Sequence, residues 1–115
     1  MTDTIRSVKQ LAPAAGTTLL NLYTVTSSYS AVLGSINICN TGTADDYIGV
    51  SIKVSGGSDI YLYYNFKLRG ISIGSSFGNS VLSGTQGLTL RSLDQVNVWS
   101  FRGISHFTLS VVEIS

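Results

Sequence analysis

The stretch Tyr-Ile-Gly-Val-Ser-Ile-Lys-Val, residues 47–54, runs through Ser-Gly-Gly-Ser-Asp at 55–59 into Ile-Tyr-Leu-Tyr-Tyr-Asn-Phe-Lys-Leu at 60–68, and its reading decides the fold. Both flanking runs alternate. Ile48, Val50, Ile52 and Val54 fall on one side, and Ile60, Leu62, Tyr64, Phe66 and Leu68 do the same in the second run, which is the period of a half-buried strand. The two glycines between them accept the positive φ of a tight reversal, so the sequence predicts a β-hairpin with those two faces turned to the core.

Working outward, the same vocabulary of β-branched and aromatic residues recurs in short runs separated by Gly, Ser, Asn, Thr and Asp clusters, at 19–26, 31–39, 71–73, 81–90, 95–101 and 106–114. From residue 19 onward no segment repeats apolar residues at helical spacing, and Ile5, Val8 and Leu11, spaced three apart, could form at most a short helical turn that Pro13 and Gly16 stop. With 115 residues, one core is affordable and a second domain is not. The expected fold is all-β: about eight antiparallel strands forming a β-sandwich or a jelly-roll-like arrangement over 18–115. Residues 1–17 contain the only proline, Pro13, and show no sustained periodicity, so they are read as an extended N-terminal arm.

Composition narrows the function classes. Charged residues make up 11% of the chain against 43% hydrophobic, and the mean hydropathy is +0.30. So little charge on a small chain points to surface covered by partners, with a homo-oligomer or a larger assembly expected. The net charge is +1, and the seven basic residues are scattered from Arg6 to Arg102. That spread argues against nucleic acid as a partner, which requires clustered cations. No apolar run approaches the roughly 18 residues that cross a bilayer as a helix, and 1–10 lacks the apolar core of a secretory leader, so synthesis in a cytoplasm without membrane association is expected. One cysteine, Cys39, and one histidine, His106, supply neither a disulfide nor a zinc ligand set, and no cofactor is expected. Cys39 is read as a small buried hydrophobe and His106 as a surface or interface group.

Two motifs bear on chemistry, and one tetrapeptide recurs. Gly74-Ser75-Ser76-Phe77-Gly78 matches the G-x-S-x-G nucleophile elbow, with Asp94 and His106 following in hydrolase order. The elbow needs a helix after its strand, and strand signals follow instead, so the segment reads as a loop with Ser76 no nucleophile. Adjacent Asp45 and Asp46 could hold a cation, but ordinary turn chemistry accounts for them. Arg-Gly-Ile-Ser occurs twice, at 69–72 and 102–105, and reads as a reused turn. No catalytic, cofactor-binding or metal-binding residue is expected.

Contact residues are the better candidates. Tyr61, Tyr63, Asn65, Lys67 and Arg69 fall on the face opposite the expected core face, either as a solvated surface or as a partner interface. Trp99 shares a face with Asn97 and Phe101, opposite Val96 and Val98. In the arm, Ile5, Val8 and Leu11 are the anchors expected to clasp a neighbouring subunit.

The order and spacing of LYTV (22–25), ICNTG (38–42), YLYY (61–64), GLTL (87–90), DQVNV (94–98) and VEIS (112–115) resembles small structural proteins of tailed-phage virions, of the capsid decoration or cement kind. Where those proteins carry a proline and a longer loop after LYTV, this chain has Thr26, Ser27, Ser28 and Tyr29. The resemblance implies a compact β-sandwich bound to the major capsid protein on the exterior of a phage head, without catalysis. Tail, baseplate or fibre placement is the alternative. A carbohydrate-binding module, with Tyr61, Tyr63 and Trp99 stacking on sugars, is a further one.

Overall fold

The structure is a computed structural model that describes residues 4–70, 81–85 and 88–115. Nine strands are described: β1 (Thr4–Leu11), β2 (Leu20–Thr24), β3 (Ser30–Asn40), β4 (Asp46–Lys53), β5 (Asp59–Leu68), β6 (Val81–Thr85), β7 (Thr89–Leu90), β8 (Gln95–Ser100) and β9 (Ser105–Ile114). They form two antiparallel sheets packed as a β-sandwich. The five-stranded sheet has the order β1-β9-β3-β6, with β7 pairing the other end of β3, and the four-stranded sheet has the order β2-β8-β4-β5. Among the described residues there is no helix.

Alternation explains the core. Leu33, Ile36 and Ile38 of β3 and Phe107, Leu109 and Val111 of β9 face Ile48 and Val50 of β4 and Val96 and Val98 of β8, all at 2% exposure or less. Burying such side chains contributes about 1.5–3 kcal/mol each, the main favourable term in a chain without disulfides.

The hairpin expected at 47–68 is present, with Gly56 at φ 77° in its turn. Its second strand does not keep one face throughout. The β4–β5 register shifts between Ile48 and Val50 and again between Val50 and Ser51, so β5 carries extra residues around Leu62 and Asn65, and Asn65 sits at φ 52°. Each bulge reverses the alternation. Leu62 and Tyr63 consequently pack against the core, Tyr64 turns outward and is 69% exposed, and Ile60 and Phe66 lie at the open flank. The expected core face therefore holds for Leu62 and Leu68 but not for Ile60, Tyr64, Phe66 or the exposed Val54. Tyr63 leaves the outward set for the same reason.

The segment expected as an arm is extended, and 4–11 of it is an edge strand of the sandwich. All eight residues of β1 pair with β9, from Thr4↔Ile114 to Leu11↔Phe107. The local sequence hid this strand because its inward residues, Ile5, Ser7, Lys9 and Leu11, include two polar ones. The run expected at 71–73 lies outside the described residues, and the one expected at 81–90 contains two short strands, β6 and β7.

Candidate interaction surface

Acidic and polar side chains fasten the two ends of the sandwich where the chain crosses between sheets. At one end, Asp46 is fully buried. Its carboxylate accepts hydrogen bonds from the Ser100 hydroxyl, from Ser105 Oγ at 2.5 Å, and from the backbone amides of Arg102 and Tyr47 at 2.8 and 2.9 Å. That holds the β8–β9 turn against the start of β4. Beside it, Asn40 donates to the carbonyls of Ala44 and Leu68 and accepts from Gly42 N–H. Asp45 accepts from Gly70 N–H at 3.1 Å and meets Lys67 Nζ at 3.4 Å. Its pKa is held below the usual carboxylate range, first by the Gly70 hydrogen bond and then by Lys67. The two aspartates thus receive one amide from each Arg-Gly-Ile-Ser segment, Gly70 on Asp45 and Arg102 on Asp46, which is turn chemistry of the kind expected.

At the opposite end, Glu113 accepts from Tyr23 Oη at 2.8 Å and Thr26 N–H at 2.9 Å. Burial opposes its ionisation, yet the hydrogen bonds from Thr26 and Tyr23 outweigh that and lower its pKa. Burial, reinforced by the Glu113 carboxylate, pushes the Tyr23 phenol up. Glu113 thereby secures the short turn at 26–29, where Tyr29 N–H reaches Thr26 O at 2.9 Å and Ser28 takes φ 71°. Asp94, buried, accepts from the amides of Ser55 and Arg91. It precedes β8, while exposed His106 lies in β9 beyond the far end of β8, about 20 Å away at the rise of an extended strand. The hydrolase order of Asp94 and His106 is therefore not matched by proximity, and Ser76 lies outside the described residues.

The outer face of the four-stranded sheet holds a mixed polar and aromatic patch. Trp99 is 3% exposed because Gly49, its cross-strand neighbour, leaves room for the indole. The indole N–H donates to Tyr61 Oη at 3.4 Å, and Tyr64 meets Tyr61 and Trp99 edge-on at centroid distances of 4.8 and 6.4 Å. Alongside, Asp59 Oδ1 accepts from Ser51 Oγ at 2.8 Å and Asn97 Nδ2 at 3.0 Å, and Asn21 donates to Asn97. The Asn97 hydrogen bond is the first cause of the lowered Asp59 pKa.

Of the contact residues expected from sequence, Tyr61 and Trp99 meet on this face, with Trp99 packed beneath rather than presented. Tyr64, expected in the core, is the ring the face presents most. Tyr63 packs inward, edge-on to Phe66. Lys67 pairs with Asp45, and Arg69 is exposed near that end. On β1, Ile5 and Val8 are 45% and 60% exposed, whereas Leu11 packs against the core and presents no free anchor. Cys39 is half-buried opposite His106 rather than fully enclosed. Among the described residues no group of three or more His, Cys, Asp or Glu side chains is placed to hold a metal ion.

No protein-family model matches the chain, and no curated protein matches it. Among solved structures, it is similar to VP2 of the infectious bursal disease virus subviral particle, at 8% identity and a TM-score of 0.47. The match covers 99% of this chain and 32% of that one, so this chain spans about a third of the other's length. A likeness this distant assigns neither family nor function.

Proposed function

We propose that this chain is a virion structural protein, a decoration or cement protein that binds the major capsid protein on the exterior of a phage head, works as a homo-oligomer with a trimer favoured, and performs no catalysis. The observation that carries this reading is how its polar and apolar groups are spent. The buried acids Asp46, Asp94 and Glu113 are all occupied in holding turns, while large apolar side chains stand exposed on the outermost strands, Ile5 and Val8 on β1 and Ile60, Tyr64 and Phe66 on β5. A body fastened at both ends, with adhesive outer strands and few charges, is suited to repeated contacts of about 800 Å² per partner. The sequence resemblance to phage decoration proteins points the same way.

Copy number tests it. Purified virions should contain hundreds of copies, and particles lacking the protein should lose heat resistance while retaining their shape. A handful of copies per particle would move the protein to the tail, baseplate or fibre, and absence from particles would end the reading. A second reading has its own observation, the Tyr61–Tyr64 pair beside Asp59 and Asn97, an arrangement of ring faces and planar polar groups that suits a sugar. Specific binding on a glycan array, lost in Tyr64→Ala, would favour that reading.

A further inference from the structure

The sandwich exposes several edges, and they are not equivalent. Pairing of β2 with β8 is interrupted between Asn21 and Tyr23, β5 is interrupted twice, and β6 is five residues long. Bulges twist an edge and break its outward row of N–H and C=O groups, which is how natural sheets discourage further pairing. β1 has no bulge; its guard is charge, from Arg6 and the inward-pointing Lys9, which opposes a basic added strand but not an acidic one. The eight residues of β1 run in unbroken register with β9, contain no proline, and among the described residues pair with no other strand. Every second residue of β1 therefore turns its backbone groups away from β9, available to an added strand.

We propose that the free edge of β1 accepts an extended acidic segment of another protein chain as an added antiparallel or parallel strand. The charge on β1 selects the partner. Arg6 projects on the outer face and Lys9 on the inner face, where its ammonium lies 5.8 Å from the Tyr23 ring, and β1 contains neither Asp nor Glu. The facing strand offers exposed His106 on the outer side and Glu113, opposite Ile5, whose carboxylate already accepts from Tyr23 and Thr26 and partly offsets the Lys9 charge. A second copy of β1 is a poor occupant, since it would gather four cations with no carboxylate on either paired strand. An acidic strand places a carboxylate near a cation on each face. The inference goes beyond the virion reading, because it concerns the chemistry this edge accepts, whichever assembly supplies it.

Amide hydrogen exchange on the full chain tests it, with a blocked peptide the length of β1 that alternates Glu and Val as the probe. At low salt the probe should slow exchange of the outward β1 amides by about tenfold or more, and added salt should weaken the effect. A Lys-Val peptide, or the Glu-Val peptide with a central proline, should give no protection. Arg6→Glu combined with Lys9→Glu should reverse the preference towards the Lys-Val peptide. Arg6→Glu alone, at an exposed outer position, serves if the double variant unfolds, and should abolish the preference. No protection at millimolar peptide, equal protection by both peptides, protection located on β5 instead, or equal protection by an oligothymidylate would each overturn the proposal. These results are independent of copy number in virions.

Discussion

The four-stranded sheet carries a second packed layer on its outer face, where Trp99 covers Gly49 and Ser51, Asp59 and Asn97 share hydrogen bonds. The outer face of the five-stranded sheet carries Arg6, Val8, Thr108, Ser110 and Val112 along β1 and β9, none of them fully buried. The edges differ in the same direction: β5 is bulged and β1 is straight. One sheet is thus finished on both faces and guarded at an edge, and the other is finished on its core face alone. The lesson is that a packed outer layer stiffens one sheet without removing its contacts, since Tyr64 stands 69% exposed above it, whereas the other sheet offers a straight, unbulged edge in place of a packed face.

Breaking the clasp that joins the sheets should have the largest effect. Asp46→Ala strands the Ser100 and Ser105 hydroxyls and the Arg102 and Tyr47 amides, and should cost about 3 kcal/mol or more, read as a fall in the denaturant midpoint. A loss under about 1 kcal/mol would mean that water or a neighbouring group replaces the carboxylate. Next comes the finished face itself. In Gly49→Ala the new Cβ overlaps the Trp99 indole at Nε1 and Cε2, so the ring must lift from the sheet, at about 1–3 kcal/mol. Tryptophan emission should shift to the red, and an unchanged spectrum would show that the sheet, not the ring, gives way.

The pH dependence probes the other end. Glu113 has a folded pKa below its ordinary 4.5, so it contributes stability that is present above about pH 4.5 and is lost as pH falls through the lower folded value. Tyr23 acts with the opposite sign, its stabilisation being full below its ordinary 10.0 and lost as pH rises beyond it towards the raised folded value. Glu113→Gln should flatten the acid limb of a stability-against-pH curve and cost about 1–2 kcal/mol at neutral pH. An acid limb as steep as before would assign it to Asp59 and Asp45, whose pKa values are also lowered. The smallest effect is expected on the unfinished sheet. Val8→Lys on β1 should change stability by no more than about 0.5 kcal/mol, and a large loss in thermal unfolding would show that Val8 is packed rather than exposed.

How much of this was legible in the sequence depended on whether one strand or two decided the outcome. The 47–68 hairpin could be read because Ser-Gly-Gly-Ser-Asp and the flanking alternation are local signals. The inward Val96 and Val98 and the outward Trp99 were legible for the same reason. The turning of Tyr63 inward and Tyr64 outward was not, because a bulge is a mismatch between two strands, and its one local trace is Asn65, a residue that tolerates positive φ. β1 escaped notice since Ser7 and Lys9 occupy inward positions at a flank where full burial is not required. The burial of Trp99 needed the pairing Gly49↔Trp99, which no single run contains. Ile5 and Val8 were legible as contact residues of an extended segment, but the edge they mark was not.

The order of strands in the five-stranded sheet also sets a timetable. β9 lies between β1 and β3, yet follows both in the chain, and it joins Thr4 to Ile114. A nascent chain that has reached Ser100 already holds every strand of the four-stranded sheet, while β1 and β3 still lack the strand that joins them. Closing that gap requires a contact across almost the whole sequence, the kind of topology that folds in about milliseconds to seconds rather than microseconds. Until then β1 and β3 are both open strands, and the last one made decides whether they are joined within one chain or captured by another.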